Sequence, residues 1–283
     1  MNAIYLWITE PFSYPFMQNA LITALLVSVI CAMLSCYLVL KGWSLMGDAI
    51  SHAVLPGIVV AFWLGLPLLS IGAFIAGLVC SISVGYLKEN SRIKEDTAMG
   101  IVFSGMFALG IVLFTKIETE QHLTHILFGN LLGVSDAEVW QTFFMTALIF
   151  LVIFLRRKDF LLYCFDPNQT KIVGLSPRLL HYSLLILLAL TIISAMQVVG
   201  VILVVAMLIS PGITAFILTK RFDYMIAIAL ITSVSTSILG TIISYYIDGA
   251  TGPCIILLQA TAFLTALIYS KIRLRFNATL ETS

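Results

Sequence analysis

The stretch from Ala49 to Leu87, AISHAVLPGIVVAFWLGLPLLSIGAFIAGLVCSISVGYL, contains no Asp, Glu, Lys or Arg. A helix that crosses a membrane needs about 20 predominantly apolar residues. The stretch is therefore long enough for two membrane helices, and the run Gly65-Leu66-Pro67 supplies a natural break between them. The sequence predicts two consecutive spans here.

The rest of the chain is also strongly apolar. The whole chain has 283 residues, of which 60% are hydrophobic and 10% charged, and its mean hydropathy is +1.07, whereas a soluble domain carries about 25% charged residues. The other runs without charge are residues 11–40, 97–115, 139–155, 182–219, 224–247 and 249–270. With a break of the run 182–219 near Met196-Gln197, this predicts an all-α polytopic transmembrane helical bundle of nine spans, or eight if one segment is re-entrant, in a single domain 1–283. The N-terminus lacks a basic region and a cleavage site, so its first apolar segment is expected to be a retained helix.

The basic residues are distributed asymmetrically between the predicted loops. If the N-terminus lies outside, 14 of the 15 Lys and Arg fall on the cytoplasmic side, and only Lys116 lies outside. Cytoplasmic loops of membrane proteins are enriched in Lys and Arg. The sequence therefore predicts an N-out, C-in orientation in a multi-pass plasma membrane protein.

Several function classes are excluded by what the sequence lacks. The five cysteines form no C-x-x-C pair, and a net charge of +1 does not favour nucleic acid. The run from Gly42 to Gly47 has the glycine spacing of a P-loop, but Asp48-Ala49 occupy the positions that require Lys and Ser or Thr. The chain is thus predicted not to hydrolyse ATP by itself and not to be an enzyme.

Asp48 and His52 are the most informative polar residues. They are four residues apart, so a helix places them on one face, and ionisable groups at membrane depth usually mark a functional site. If Trp43 lies at the membrane interface, a continuous helix would place His52 about 13 Å further in, near the middle of the bilayer. A carboxylate and an imidazole can share a divalent cation, although a hydrogen-bonded packing pair is the alternative.

Two predicted membrane helices contain Pro-Gly. Pro56-Gly57 follows the Asp/His pair, and Pro211-Gly212 lies late in the run 182–219. Proline leaves a backbone carbonyl without its helical donor, and such breaks are tolerated where neighbours or a water-lined cavity satisfy the carbonyl. Both pairs are candidates for a pathway lining or a hinge, with a simple kink as the alternative.

A short capped helix is predicted between the fifth and sixth spans. In residues 166–175, Asp166 occupies the N-cap position, Pro167 the first helical position and Gly174 the C′ position. The segment is either a docking site for a partner or a solvated connector. The outer loop between Lys116 and Glu138 has candidate cation-attracting residues that equally suit a solvated loop or the docking of an external partner: Glu118, Glu120, His122 and His125.

The sequence around the Asp/His pair, LKGWSLMGDAISHAVLPG at residues 40–57, resembles the membrane permeases of bacterial ABC importers for manganese, zinc and iron. Further similar motifs are DTAMGI at residues 96–101, LFGNLL at 127–132, VGVILVVAMLISP at 199–211 and DGATGP at 248–253. The resemblance covers residues 10–275, and these motifs are most similar to those of the manganese/iron branch of the family.

The resemblance implies a type II importer permease of the bacterial inner membrane. It implies a second permease protomer, either identical or a paralogue, a cytoplasmic ATPase dimer and an extracytoplasmic metal-binding protein. It also implies that residues 166–175 form the coupling helix, with Asp166, Pro167, Asn168, Lys171 and Gly174 contacting the ATPase.

The expected function is import of Mn²⁺, Fe²⁺ or Zn²⁺ as substrate, with no permanently bound cofactor. Asp48 would supply an oxygen and His52 a nitrogen, and two protomers together would supply two of each. Gln197 and carbonyls freed by Pro56 are candidates for completing the coordination. The alternatives are a proton-coupled secondary metal transporter, which would work without an ATPase, and a membrane scaffold that transports nothing.

Overall fold

The computed structural model describes residues 10–65, 69–116 and 131–281, and within them the chain is helical without a strand. The outer-loop residues Glu118, Glu120, His122 and His125 and most of the motif at 127–132 lie outside the described residues. Two single 3-10 turns, Pro11–Ser13 and Leu131–Gly133, precede the first and sixth helices. The helices are α1 Pro15–Lys41, α2 Met46–Ala53, α3 Leu55–Trp63, α4 Leu69–Asn90, α5 Glu95–Phe114, α6 Asp136–Leu155, α7 Arg157–Phe165, α8 Pro167–Ile172, α9 Pro177–Val199, α10 Val201–Leu218, α11 Phe222–Ile247 and α12 Thr251–Glu281.

Nine candidate membrane spans are present within the described residues, which confirms the all-α polytopic bundle. Eight of them are single helices, and the ninth, Met46–Trp63, is formed by α2 and α3 together. Helix α1 is the most central, because it packs against α10, α11 and α6, and 72% of its apolar window is buried. Helices α5, α6 and α12 lie at the periphery and leave most of their apolar surface uncovered, as expected of surfaces that meet lipid or another subunit.

The break in the run 182–219 lies at Gly200, and the expected position near Met196-Gln197 is wrong. Both of those residues continue α9, which ends at Val199. Gly200 has φ +84° and ψ +159°, a conformation that residues with a Cβ rarely adopt. The glycine, and not the Met-Gln pair, therefore permits the chain to end one helix and begin the next without a loop.

The connection between α1 and α2 shortens the helical distance between Trp43 and the Asp/His pair. Gly42, at φ +75°, ends α1 with paired hydrogen bonds from Gly42 N to Val39 O and from Trp43 N to Leu38 O. Trp43 is 1% exposed and packs edge-on against His181, so its side chain lies inside the bundle. Since helix resumes only at Met46, His52 lies about 9 Å along the broken span, roughly a third of its length, and its depth in the membrane stays a prediction.

Helix α7 was not predicted from the sequence. Its buried residues Phe160, Tyr163 and Cys164 recur at helical spacing. Phe160 packs edge-on against Tyr37 of α1, and the Tyr37 hydroxyl donates to the carbonyl of Arg157. This packing gives α8 a firm base at the end of the bundle.

Candidate functional site

Asp48 and His52 lie on one side of α2. The Nε2 atom of His52 is 3.3 Å from the Oδ1 atom of Asp48, and the side chains are 32% and 40% exposed respectively. Most other residues of α2 are buried, including Ile50 and Ser51. Helix α2 therefore turns its apolar side into the bundle and presents only the carboxylate and the imidazole at the surface of this chain.

The wall beside His52 is aromatic. The ring of His52 lies edge-on to Phe107, with centroids 5.3 Å apart, and 6.2 Å from the ring centroid of Phe103. Both phenylalanines belong to α5, which packs along α2 and α3. An apolar wall on one side strengthens electrostatic interactions of the pair, because it lowers the local dielectric.

The span is interrupted directly after this pair. Helix α2 ends at Ala53, Val54 forms a turn, and Pro56 lies in the first turn of α3. Because Pro56 has no N–H, it cannot donate to the carbonyl of His52, the residue four positions earlier. The break thus removes the usual helical donor from the carbonyl of His52, and this carbonyl accepts instead from a backbone N–H at the end of α2.

Pro56 and Gly57 also form a close crossing of three helices. A Cβ atom on Gly57 would lie 2.1 Å from the carbonyl oxygen of Gly72 in α4, and one on Gly110 of α5 would lie 2.9 Å from the Pro56 ring. Small residues permit this approach of backbones in membranes. The outer side of the crossing is an apolar groove of about 290 Å³, so the structure places the pair at a packing point, and its pathway or hinge role stays a prediction.

Pro211 and Gly212 are likewise buried at a crossing, between α10 and α1. The Ser35 hydroxyl of α1 accepts a hydrogen bond from Gly212 N at 2.9 Å and donates to the carbonyl of Ile209 at 3.2 Å. A Cβ on Gly212 would lie 2.4 Å from the Ser35 oxygen. One hydroxyl therefore supplies hydrogen bonds to the helix around its proline, and a hinge role for this pair also stays a prediction.

The Asp/His pair is an incomplete ligand set within one chain. In residues 10–65, 69–116 and 131–281 no group of three or more His, Cys, Asp or Glu is close enough to hold a metal ion. A transition metal in a protein has about four to six ligands. Gln197 is exposed at the end of α9, where its Oε1 accepts from Gln141 of α6 at 3.4 Å. Metal binding by Asp48 and His52 therefore stays a prediction, and it would need further ligands beyond the described side chains.

The capped segment 166–175 forms as the sequence predicts. The carboxylate of Asp166 accepts from the backbone N–H groups of Asn168 and Gln169 at 2.8 and 3.2 Å, and Pro167 is the first residue of α8. Gly174 has φ +86°, and the carbonyls of Lys171 and Thr170 accept from Gly174 N and Leu175 N. Both ends of this six-residue helix are closed by local hydrogen bonds.

The sequence analysis missed an exposed apolar surface around α8. Ile172 is 84% exposed, Val173 63% and Phe165 66%, and they lie beside the exposed cation Lys171. The available signal was a set of large apolar residues in a segment too short and too polar to enter a membrane. Exposed apolar side chains in a rigid, capped turn are typical of a docking surface.

The cysteines belong neither to the Asp/His pair nor to the exposed apolar surface around α8. Cys31, Cys36, Cys80 and Cys164 are buried and Cys254 is half-buried, all as free thiols. Burial raises the pKa of the Cys164 thiol to about 12, although nearby Lys41 partly opposes the shift. The prediction that they are small packing residues agrees with these positions.

Comparison with known proteins gives a consistent family assignment. The ABC 3 transport family matches residues 13–270. A "probable iron transport system membrane protein" of Haemophilus influenzae is 69% identical, covering 95% of this chain and 99% of its own length. The chelated iron transport system membrane protein YfeD of Yersinia pestis is 62% identical over 96% and 92%, and the manganese transport system membrane protein MntB of a Synechocystis strain is 48% identical over 93% and 85%.

A solved structure extends the similarity to the fold. PsaBC from Streptococcus pneumoniae, determined in complex with a Fab, has a TM-score of 0.82 and 42% sequence identity, and the match covers 93% of this chain and 95% of that one. The arrangement of helices described above is therefore that of a transporter membrane subunit.

Proposed function

The chain belongs to the ABC 3 transport family, and from this premise and the site geometry we propose that it is the permease subunit that carries divalent iron or manganese across the membrane. One observation carries the proposal. Asp48 and His52 are the two residues of α2 that are not buried, and both are ionisable. Their side chains are 3.3 Å apart, directly before a break in the helix. Ionisable groups placed in this way in a membrane span are typical of a substrate pathway.

The pathway would be formed between two permease protomers. Asp48 and His52 remain 40% and 32% exposed when the chain is alone, and the described residues of one chain supply no third His, Cys, Asp or Glu beside them. A second copy or a paralogue facing α2 would bring a further carboxylate and imidazole, giving a mixed oxygen and nitrogen set. Such a set suits Fe²⁺, Mn²⁺ and Zn²⁺ and disfavours Cu⁺, which prefers sulfur.

The two iron relatives and the manganese relative support iron or manganese as the substrate. The ligand set itself would bind Zn²⁺ more tightly than Mn²⁺ according to the Irving–Williams order. Selectivity would therefore rest partly on the extracytoplasmic binding protein that delivers the metal, and partly on the geometry of the closed site.

Energy would come from a separate ATPase dimer docked on α8. The N-out, C-in orientation predicted from the basic residues would put α8 in the cytoplasm, where its exposed Ile172, Val173 and Lys171 would offer apolar contact and charge to a groove on the ATPase. Because the backbone of α8 is closed at both ends, a displacement of the ATPase would move the helix as a unit instead of unwinding it. The movement would reach α9 through the four residues that connect the two helices.

The test is uptake of radioactive Mn²⁺ and Fe²⁺ by cells that lack other importers and express the complete transporter. We expect Asp48→Asn to reduce uptake at least about a hundredfold, because second-shell changes alone cost 10- to 100-fold in metal affinity. The matched control is Asp223→Asn, which makes the same chemical change at an exposed carboxylate paired with Arg157. Normal uptake by Asp48→Asn would refute the site, and uptake by the chain alone in liposomes under a proton gradient would refute the ATP-driven mechanism.

A further inference from the structure

A polar cavity of about 600 Å³ lies beside α8, separate from the Asp/His pair. It is enclosed by the ends of α1, α4 and α9 and by α7 and α8. Among the described residues, four cations line it, namely Lys41, Lys88, Lys171 and Arg178, together with one carboxylate, Glu89. These five groups have a net charge of +3, since four positive charges meet one negative charge. We call this cavity the basic pocket.

The inner wall of the basic pocket is rigid. The Tyr163 hydroxyl and the Nδ1 atom of His181 are hydrogen-bonded at 2.8 Å, and both side chains are buried. The Nζ atom of Lys41 lies 4.0 Å from the centroid of the Tyr163 ring, in cation–π geometry. The ammonium group of Lys41 is thus held at a defined place on the wall instead of extending freely into solvent.

The N-terminal end of α9 adds to the positive potential. Ser176 and Pro177, the N-cap and first residue of this 23-residue helix, both line the cavity. Pro177 has no N–H, and Leu179 N already donates to the Ser176 hydroxyl at 3.4 Å, so it is mainly the helix dipole that favours an anion at this end. The N-terminal end of α9 and the four cations therefore both make the electrostatic potential inside the basic pocket more positive.

The carboxylate of Glu89 offsets this charge only in part. It is 3.9 Å from the Nε atom of Arg178, and the two side chains are 41% and 81% exposed. A partly exposed pair at that separation is weak. An anion that carries about two negative charges on several oxygens would match the remaining potential better than a single carboxylate.

We propose that the basic pocket binds a phosphate group. A phosphate carries about −1.5 to −2 charges as a monoester, and Lys and Arg together with a helix N-terminus are the groups that bind it. Two sources share this chemistry: the headgroup of an anionic phospholipid, and a soluble phosphate compound. Basic pockets between the ends of membrane helices take lipid headgroups.

A phosphate bound in the basic pocket would affect the position of α8. Pro167 and Lys171 of α8 line it, so a bound phosphate would hold α8 against α9. The cytoplasmic location of the pocket and the role of α8 in ATPase docking rest on the proposed function. Binding of phosphate itself does not, and it is measurable on the isolated chain without transport.

The experiment uses the purified full chain in nanodiscs, with the unfolding temperature as the readout. In one arm, inorganic phosphate is titrated into phosphatidylcholine nanodiscs against chloride at equal ionic strength. In the other arm, phosphatidylglycerol replaces phosphatidylcholine stepwise. We expect saturable stabilisation in at least one arm, and the arm that responds identifies the source of the phosphate group.

Charge-matched variants localise the effect. The pair Lys88→Gln with Arg178→Gln should weaken the apparent affinity about 30-fold, from the typical contribution of two basic residues near a membrane surface. The control pair Lys220→Gln with Arg221→Gln removes the same charges from exposed residues outside the pocket and should change the affinity less than about twofold. If the first pair does not fold, Lys171→Gln alone should weaken binding about fivefold.

Two outcomes would overturn the proposal. One is the absence of saturable stabilisation in both arms. The other is an equal loss of affinity in the pocket variant and the control pair, which would show only a general response to net charge. Loss of metal uptake by Asp48→Asn has no bearing on either outcome.

Discussion

The broken span α2–α3 and the capped helix α8 are both short helical segments next to a proline, but they are incomplete in opposite ways. In α2 the side chains Asp48 and His52 are joined by no third His, Cys, Asp or Glu among the described residues, and Pro56 removes the usual helical donor of the His52 carbonyl. In α8 every local backbone requirement is met, while Ile172 and Val173 are left exposed. The difference indicates two kinds of partner: polar ligands for α2 and an apolar, grooved protein surface for α8.

The largest expected effect is on association with the ATPase, and it should depend on α8 and not on α2. Ile172→Asp places a charge at the centre of the apolar surface, and we expect it to weaken association with the ATPase about 30-fold or more, the scale of an interface hot spot. Asp48→Asn should leave that association unchanged while it abolishes uptake. Co-purification of the ATPase with each variant, measured at several ATPase concentrations, checks the separation.

The control for this prediction is Ile93→Asp, which introduces the same charge at an exposed apolar residue between α4 and α5, outside the candidate membrane spans and outside α8. Its ATPase association should remain normal if the variant reaches the membrane. Equal loss of association by Ile172→Asp and by Asp48→Asn would mean that the two regions cannot be separated in this way.

Each of the two regions contains a glycine that should not tolerate a side chain. Gly57 of α3 is required by close packing, and Gly174 after α8 is required by its backbone conformation. A Cβ on Gly57 would meet the backbone of Gly72 at 2.1 Å, whereas one on Gly174 would meet nothing within 4 Å but would be strained at φ +86°. We expect Gly57→Ala to cost about 1–3 kcal/mol or more by overpacking, and Gly174→Ala about 1–2 kcal/mol by backbone strain.

Unfolding temperatures of the two variants in nanodiscs measure this difference. Gly174→Asn should recover much of the loss, since asparagine tolerates the left-handed region, while Gly57→Asn should be at least as unstable as Gly57→Ala. If asparagine restored the unfolding temperature at position 57 but not at position 174, overpacking at Gly57 and backbone strain at Gly174 would both be refuted.

The smallest expected effect concerns the N-cap of α8. Asp166→Ala removes the acceptor for Asn168 N and Gln169 N and should cost about 1 kcal/mol of local stability. Asp166→Asn keeps a side-chain oxygen at that position and should cost much less. Amide hydrogen exchange of residues 168 and 169 is the measurement, and equal protection in the two variants would argue against the cap as the source of order in α8.

The sequence was sufficient for features that depend on local chemistry. The number of spans follows from the spacing of charges, because burying an unpaired charge in hydrocarbon is costly wherever the helix packs. The capped turn follows from Asp166, Pro167 and Gly174, which act through their own neighbouring backbone. The proximity of Asp48 to His52 follows from helix geometry alone.

Features that depend on distant parts of the chain were not predictable in the same way. The burial of Trp43 was not predictable because its indole packs on His181, which is far away in sequence. The break at Gly200 was placed three residues too early because Val198 and Val199 are as apolar as the helix before them, and only the backbone angles identify the glycine as the break. The crossing of Gly57 with Gly72 needed the relative position of two helices, which periodicity does not supply.

The buried cysteines make this transporter unusually convenient for spectroscopy. Four thiols are enclosed by packing, and that of Cys164 stays protonated at any physiological pH. Once Cys254→Ser removes the remaining half-buried thiol, a single cysteine introduced at an exposed position such as Lys171 would carry a maleimide probe with little background. Distances between such probes on two protomers would report the opening and closing of the assembled importer during ATP turnover.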